Sequence, residues 1–193
     1  MVFGGTRIVE PSTARREVEK LQTAAAKKPS DVALQRKLRV AERVLAKSKY
    51  YDVAREFGRI VSESSKTAAP SDFIITTGGG PGIMEAANRG AFDAGRATIG
   101  LNITLPMEQS PNAYITPELC FQFRYFALRK LHFLKRAKAL VAFPGGYGTF
   151  DELFDALTLV QTKKIDPMPI VLVGGEFWRG AFKAEFLEEE GVI

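Results

Sequence analysis

Four short segments, FIITTGGG, ATIGLN, ALVAFPGG and PIVLVGG, are β-branched or otherwise apolar throughout, and most end in glycine. Strands without polar alternation suit a parallel sheet covered on both faces, because a strand exposed on one side would alternate polar and apolar residues. Helical stretches lie between them, roughly at 81–95, 118–137 and 150–163. Strands alternating with helices predict an α/β fold, a Rossmann-like doubly wound parallel sheet flanked by helices, with ligands outside the carboxyl ends of the strands. The opening VFGGTR reads as a first, very short strand of the same kind.

The stretch before Asp72 has another character. Residues 12–49 hold eleven Lys or Arg against four Asp or Glu, so the net charge of +5 belongs to this segment and the rest of the chain is slightly acidic. It is rich in helix formers, with Leu34, Leu38, Ala41 and Leu45 at near-helical spacing, and Pro29-Ser30-Asp31 interrupts it with turn and capping chemistry. Two helices are expected here, as an N-terminal basic helical insertion. A third is expected from about Tyr50 to Ser62, with Val53, Phe57, Ile60 and Val61 on its inner face. The whole of 1–193 is read as one nucleotide-binding domain, with termini that read as truncated, since FLEEEGVI stops soon after the last strand.

Several function classes drop out. No apolar run reaches the roughly 18 residues of a membrane helix, and no signal pattern follows Met1, so the cytoplasm is the expected location. Cys120 is the only cysteine and His132 the only histidine. A disulfide, a zinc cluster and most other metal sites are therefore not expected.

Two glycine-rich loops sit after strands and before helices, where backbone N–H groups and the positive helix end favour an anion such as phosphate. In TTGGGPGIMEAANRGA these are Gly78, Gly79, Gly80 and Gly82; in PGGYGT they are Gly145, Gly146 and Gly148, with the hydroxyl of Thr149. Neither loop fits G-x-G-x-x-G, whose third glycine would fall on Ile83 or Asp151, and no phosphate-binding G-x-x-x-x-G-K-[ST] run exists. A binder of, or enzyme acting on, a phosphorylated small molecule remains. Thr149-Phe150-Asp151-Glu152 has the spacing of a capping box, which would spend Glu152 on the helix end; a carboxylate acting on a sugar beside the phosphate is the other reading. On a helical wheel Phe150, Leu153, Phe154 and Leu157 share the core face and Glu152 points away from it. In FQFRYFALRKLHFLKRAK, Lys135 and Arg136 read as solvated, at least one of Arg129 and Lys130 as emerging near the sheet, and His132, like Cys120 just before this stretch, as structural.

Taken together, GGGPGIMEAANRGA, the ALRK stretch, PGGYGTFDE and LFDALTLVQTKKI resemble the LONELY GUY family of nucleoside 5′-monophosphate phosphoribohydrolases, densely over about 72–178. VFGGTR looks like a variant of the family's first-strand FGSAR, and the 12–49 segment exceeds the usual connection at that point. Members have long carried the label lysine decarboxylase, but no His-Lys pair here marks a pyridoxal phosphate lysine. The resemblance implies hydrolysis of the N-glycosidic bond of a cytokinin riboside monophosphate or AMP to free base and ribose 5-phosphate, with no metal and no cofactor. Arg129 and Glu152 match the family's catalytic pair. Gly145, Gly146, Gly148 and Thr149 would hold the 5′-phosphate with the Gly79, Gly80 and Gly82 loop, Lys130 would support the phosphate or the site's charge, and Glu85 would line the site. Gly5 and Arg7 would face the base or ribose. The resemblance also implies a homodimer or larger homo-oligomer; the lack of a long apolar run and the confinement of the basic charge to one segment leave no membrane or nucleic-acid partner expected. The alternative is a nucleotide-binding or carrier protein that keeps the loops without chemistry.

Overall fold

In the computed structural model, which describes residues 1–64, 73–104 and 110–193, six parallel strands form one sheet in the order β4-β3-β2-β1-β5-β6. They are β1 (Val2–Phe3), β2 (Ile75–Thr77), β3 (Thr98–Ile103), β4 (Cys120–Phe123), β5 (Leu140–Ala142) and β6 (Ile170–Leu172). The chain walks outward from β1 to β4, then returns to the other side of β1, where Val2 pairs with Val141 and Phe3 with Ala142. The winding reverses between β1 and β5, which opens a crevice at their carboxyl ends.

The period-two geometry of the strands builds two cores. Val2, Ile75 and Val141 face one side, with Ile83, Ala86 and Ala87. Phe3, Leu140 and Ala142 face the other, with Phe133, Leu153, Ala156 and Trp178. The first side is covered by α3 (Lys49–Ser64) and α4 (Ile83–Asp93), and the second by α5 (Phe126–Lys135), α6 (Tyr147–Gln161) and α7 (Gly175–Ala181), with α8 (Ala184–Glu189) beyond. Upstream lie α1 (Pro11–Lys27) and α2 (Val32–Lys47), the two helices expected in the basic segment. Asp31 caps α2 as its sequence suggests, its Oδ1 accepting from Leu34 N–H at 2.9 Å. Between α1 and α2 runs a groove of about 1240 Å³, floored by residues such as Val9, Leu21 and Val40 and rimmed by Arg7, Arg16, Lys20, Arg36 and Lys37.

Two sequence expectations need correction. The inner face of α3 is Tyr51, Ala54, Gly58 and Ser62, with Phe57 and Val61 at its margin; Val53 and Ile60 are 46% and 52% exposed. Small residues win because α3 packs almost backbone to backbone on α4: a Cβ at Gly58 would collide with the Ala87 carbonyl, and one at Gly90 with that of Arg55. Second, 118–137 is not one helix. After a single 3-10 turn at Pro117–Leu119, Cys120–Phe123 becomes the edge strand β4, paired with Gly100–Ile103, and α5 starts only after Tyr125. The aromatic, alternating CFQF suits the pleated edge better than a helix.

Candidate active site

A cleft of about 280 Å³ opens at the carboxyl ends of β1, β2, β3 and β5, the expected place for this topology. Its walls are the Gly4-Gly5-Thr6 loop after β1, Gly78 and Gly80 after β2, Asn102 and Ile103 from the end of β3, and Gly146, Gly148 and Thr149 at the start of α6. Met84 and Phe126 add apolar surface, and Arg129 and Glu152 are the only ionisable side chains on the wall among the described residues.

The β1 and β2 loops interlock. Gly82, at φ 73°, caps α4 so close to the first loop that a Cβ would meet the carbonyl oxygens of Gly5 and Thr6. A Cβ at Gly4 would lie 2.6 Å from Ile83. A buried polar network then fixes the second loop: Thr77 Oγ1 accepts from Gly79 N–H at 2.9 Å and donates to Asn88 Oδ1 at 2.7 Å. Asn88 Nδ2 donates in turn to Thr98 Oγ1 at 2.5 Å. From outside, Asn112 Nδ2 donates to the carbonyls of Gly79 and Gly80 at 3.1 Å each. Satisfied on every member, such a network holds the loop in one conformation.

The predicted glycines therefore divide. Gly80, Gly146 and Gly148 reach the cleft, as does Thr149. Gly79, Gly82 and Gly145 do not line it; they permit close packing, against Asn102, the first loop and the Thr149 side chain respectively. Added Cβ atoms at Gly146 and Gly148 would meet nothing within 4 Å, so their bare backbone faces open space. No side chain caps the start of α6, where free N–H groups and the helix dipole favour an anion.

Arg129 and Glu152 come together. Arg129, from α5, donates through Nη2 to Glu152 Oε1 at 2.8 Å, and the two side chains are only 12% and 5% exposed. The capping-box reading fails because α6 begins at Tyr147, with Gly146 as N-cap, which puts Thr149 inside the helix. The inward face also differs from the wheel's: the buried stripe is Thr149, Glu152, Leu153 and Ala156, while Phe154 is exposed. Burial pushes the Glu152 carboxyl above its ordinary pKa, with the Arg129 charge opposing. The guanidinium of Arg129 lies over the rings of Phe126 and Phe133, and its Nε is buried without an acceptor among the described residues. A buried donor left unpaired costs roughly 1–3 kcal/mol.

Other sequence candidates lie elsewhere. Lys130 is outside the cleft, its Nζ 2.6 Å from Asp151 Oδ1 and 2.9 Å from Asp155 Oδ2 on α6. Glu85 accepts from the buried Tyr51 hydroxyl at 2.8 Å, and Arg7 faces the α1–α2 groove. His132 Nδ1 donates to the Leu128 carbonyl at 2.8 Å, away from the cleft. Sequence reasoning missed Thr6, Met84, Asn102, Ile103 and Phe126. Asn102 and Ile103 could have been found as the residues closing the ATIGLN strand at the expected ligand end.

A family model described as "Possible lysine decarboxylase" matches residues 84–193. Among curated proteins, the chain is 32% identical over 154 residues to cytokinin riboside 5′-monophosphate phosphoribohydrolase LOG1 of Arabidopsis thaliana, covering 76% of this chain and 66% of that protein. It is 31% identical over 136 residues to LOG3 of the same plant, covering 68% and 58%. The rice enzyme LOG (Oryza sativa subsp. japonica) is 30% identical over 118 residues, 60% and 45% of the two chains. This chain thus spans about half to two thirds of the length of these relatives. The X-ray structure of TM1055, a structural genomics target, superposes with a TM-score of 0.51 at 25% identity, over 67% of this chain and 65% of that one. With the family match covering more than half of the sequence and the sheet, loops and Arg129–Glu152 pair in place, the chain belongs to the LONELY GUY (LOG) family.

Proposed function

We propose that this protein hydrolyses the N-glycosidic bond of a nucleoside 5′-monophosphate, a cytokinin riboside monophosphate or AMP, to free base and ribose 5-phosphate. The observation that carries this reading is the buried Arg129–Glu152 pair set in the cleft wall beside the uncapped start of α6. The relatives named as cytokinin riboside 5′-monophosphate phosphoribohydrolases support it.

In this reading the 5′-phosphate sits against the N–H groups around Gly146 and Gly148 and the Thr149 hydroxyl, anchoring the ribose so that remote binding energy positions C1′. As the C1′–N bond breaks, its electron pair leaves with the base and positive charge grows on the sugar. Ionised Glu152 stabilises that charge and draws a proton from the attacking water, whose oxygen bonds to C1′. The water's second hydrogen stays on the new hydroxyl, and the proton it lost ends on the departing base. Arg129 supplies a fixed donor, held in place by its bond to Glu152. Met84, Ile103 and Phe126 offer apolar surface to the base.

Chromatography of the purified protein incubated with AMP and, separately, with isopentenyladenosine monophosphate tests the proposal. Free base and ribose 5-phosphate are expected from at least one. Binding of both without release of base overturns it in favour of a carrier. We also propose a homodimer or larger homo-oligomer, supported by the exposed Tyr125, Phe126, Leu128 and Leu131 on and just before α5.

A further inference from the structure

We propose that Lys130 is a positioning residue that acts on Glu152 from outside the cleft, holding α5 to α6 and neutralising the two aspartates that flank the catalytic carboxylate. This rests on the hydrolase reading only for calling Glu152 catalytic; the electrostatic claim stands on the geometry.

Asp151 and Asp155 lie four residues apart, so they share a face of α6, and Lys130 Nζ bridges them at 2.6 and 2.9 Å. Glu152, next to Asp151, turns the other way and meets Arg129. Arg129 and Lys130, adjacent on α5, therefore grip α6 on both sides of the same turn, one inside the cleft and one outside. Phe133 is the only fully buried residue of α5, while Phe126, Leu128 and Leu131 are exposed.

The charges are arranged to the same end. From α5, Glu152 is faced by Arg129 and Lys130; from its own helix, by Asp151 and Asp155. The strand ends opposite bring no ionisable side chain into the cleft among the described residues. Asp151 and Asp155 push the Glu152 carboxyl upward, added to the effect of burial, and Lys130 pulls it down beside Arg129. Burial alone would lower the Lys130 ammonium, but its bonds to Asp151 and Asp155 outweigh this and raise it, so Lys130 remains charged wherever Glu152 titrates. Asp151 and Asp155 are 47% and 39% exposed, and ion pairs so open to solvent add little to stability. The consequence of losing Lys130 falls on Glu152 rather than on folding.

The test reads Glu152 directly: carboxyl-carbon NMR titration of glutamate-labelled protein, with the Glu152 signal identified by its loss in Glu152→Gln. In Lys130→Met the midpoint is expected to rise by on the order of 0.5–1 pH unit. It should return toward or below the wild-type value in Lys130→Met/Asp151→Asn/Asp155→Asn, and stay near wild type in Lys130→Arg. An unchanged midpoint in Lys130→Met overturns the proposal. So does a tenfold or greater loss of ribose 5-phosphate affinity in Lys130→Met without a shift, which would make Lys130 a phosphate ligand instead. The titration needs no turnover, so failure of the hydrolase reading would appear separately, in the base-release assay.

Discussion

At the scale of single residues, the decisive side chain is Glu152. Its carboxyl sits above the ordinary carboxylate pKa of about 4.3, because burial disfavours the charge more than Arg129 restores it. The charged form does the chemistry proposed above, so lowering the pH through that raised value protonates Glu152 and removes activity. The acid limb of kcat/KM for AMP is therefore expected above the ordinary carboxylate range, with the rate flat on its alkaline side. Glu152→Gln should retain AMP binding and lose about 10²- to 10⁴-fold in turnover; full turnover by this variant would remove Glu152 from the mechanism. Sequence mechanics alone left this residue divided between cap and catalyst. The start of α6 at Tyr147 removes the capping role, and the inward face of the helix, Thr149, Glu152, Leu153 and Ala156, sets Glu152 in the wall of the cleft.

At the scale of elements, legibility followed side-chain size. The apolar strands β2, β3 and β5 were readable because burial on both faces demands unbroken apolar runs, and β6 is as apolar although this edge strand leaves Val171 half exposed. The face of α3 was misread because its contact with α4 is made by Gly58, Ala54 and Ser62, residues that a search for large apolar side chains passes over. β4 was hidden because CFQF merges without punctuation into the aromatic and basic residues of α5. The close α3–α4 contact is also vulnerable. Gly90→Ala would force a methyl against the Arg55 carbonyl, and overpacking of this kind costs roughly 1–3 kcal/mol. Thermal melting should register it as a loss of several degrees; an unchanged Tm would mean that the two helices separate more freely than their packing implies. In the candidate site, the glycines were legible as a group but not in their division of labour. Which of them faces ligand and which merely allows another chain segment to approach depends on contacts between loops far apart in sequence.

At the scale of the whole molecule, the reversal of winding between β1 and β5 gathers loops from four strands around one cleft, and the apolar α5 surface lies beside it. If that surface is where copies meet, Leu128→Glu with Leu131→Glu should convert an oligomer to monomers in analytical ultracentrifugation. An assembly of unchanged mass in the double variant would place the interface elsewhere. Among the described residues no helix is long and apolar enough to cross a membrane.

The α1–α2 hairpin carries a practical consequence. It leaves the sheet after β1 and comes back into the fold at α3, folding on itself around a turn whose Lys28, Pro29 and Ser30 are exposed. Lengthening such an excursion adds closure entropy only logarithmically, and nothing at its tip touches the cleft. The turn is thus a natural port for cargo: a tag or reporter module spliced between Pro29 and Ser30 would ride on the hairpin and leave the loops around β1 and β5 as they are.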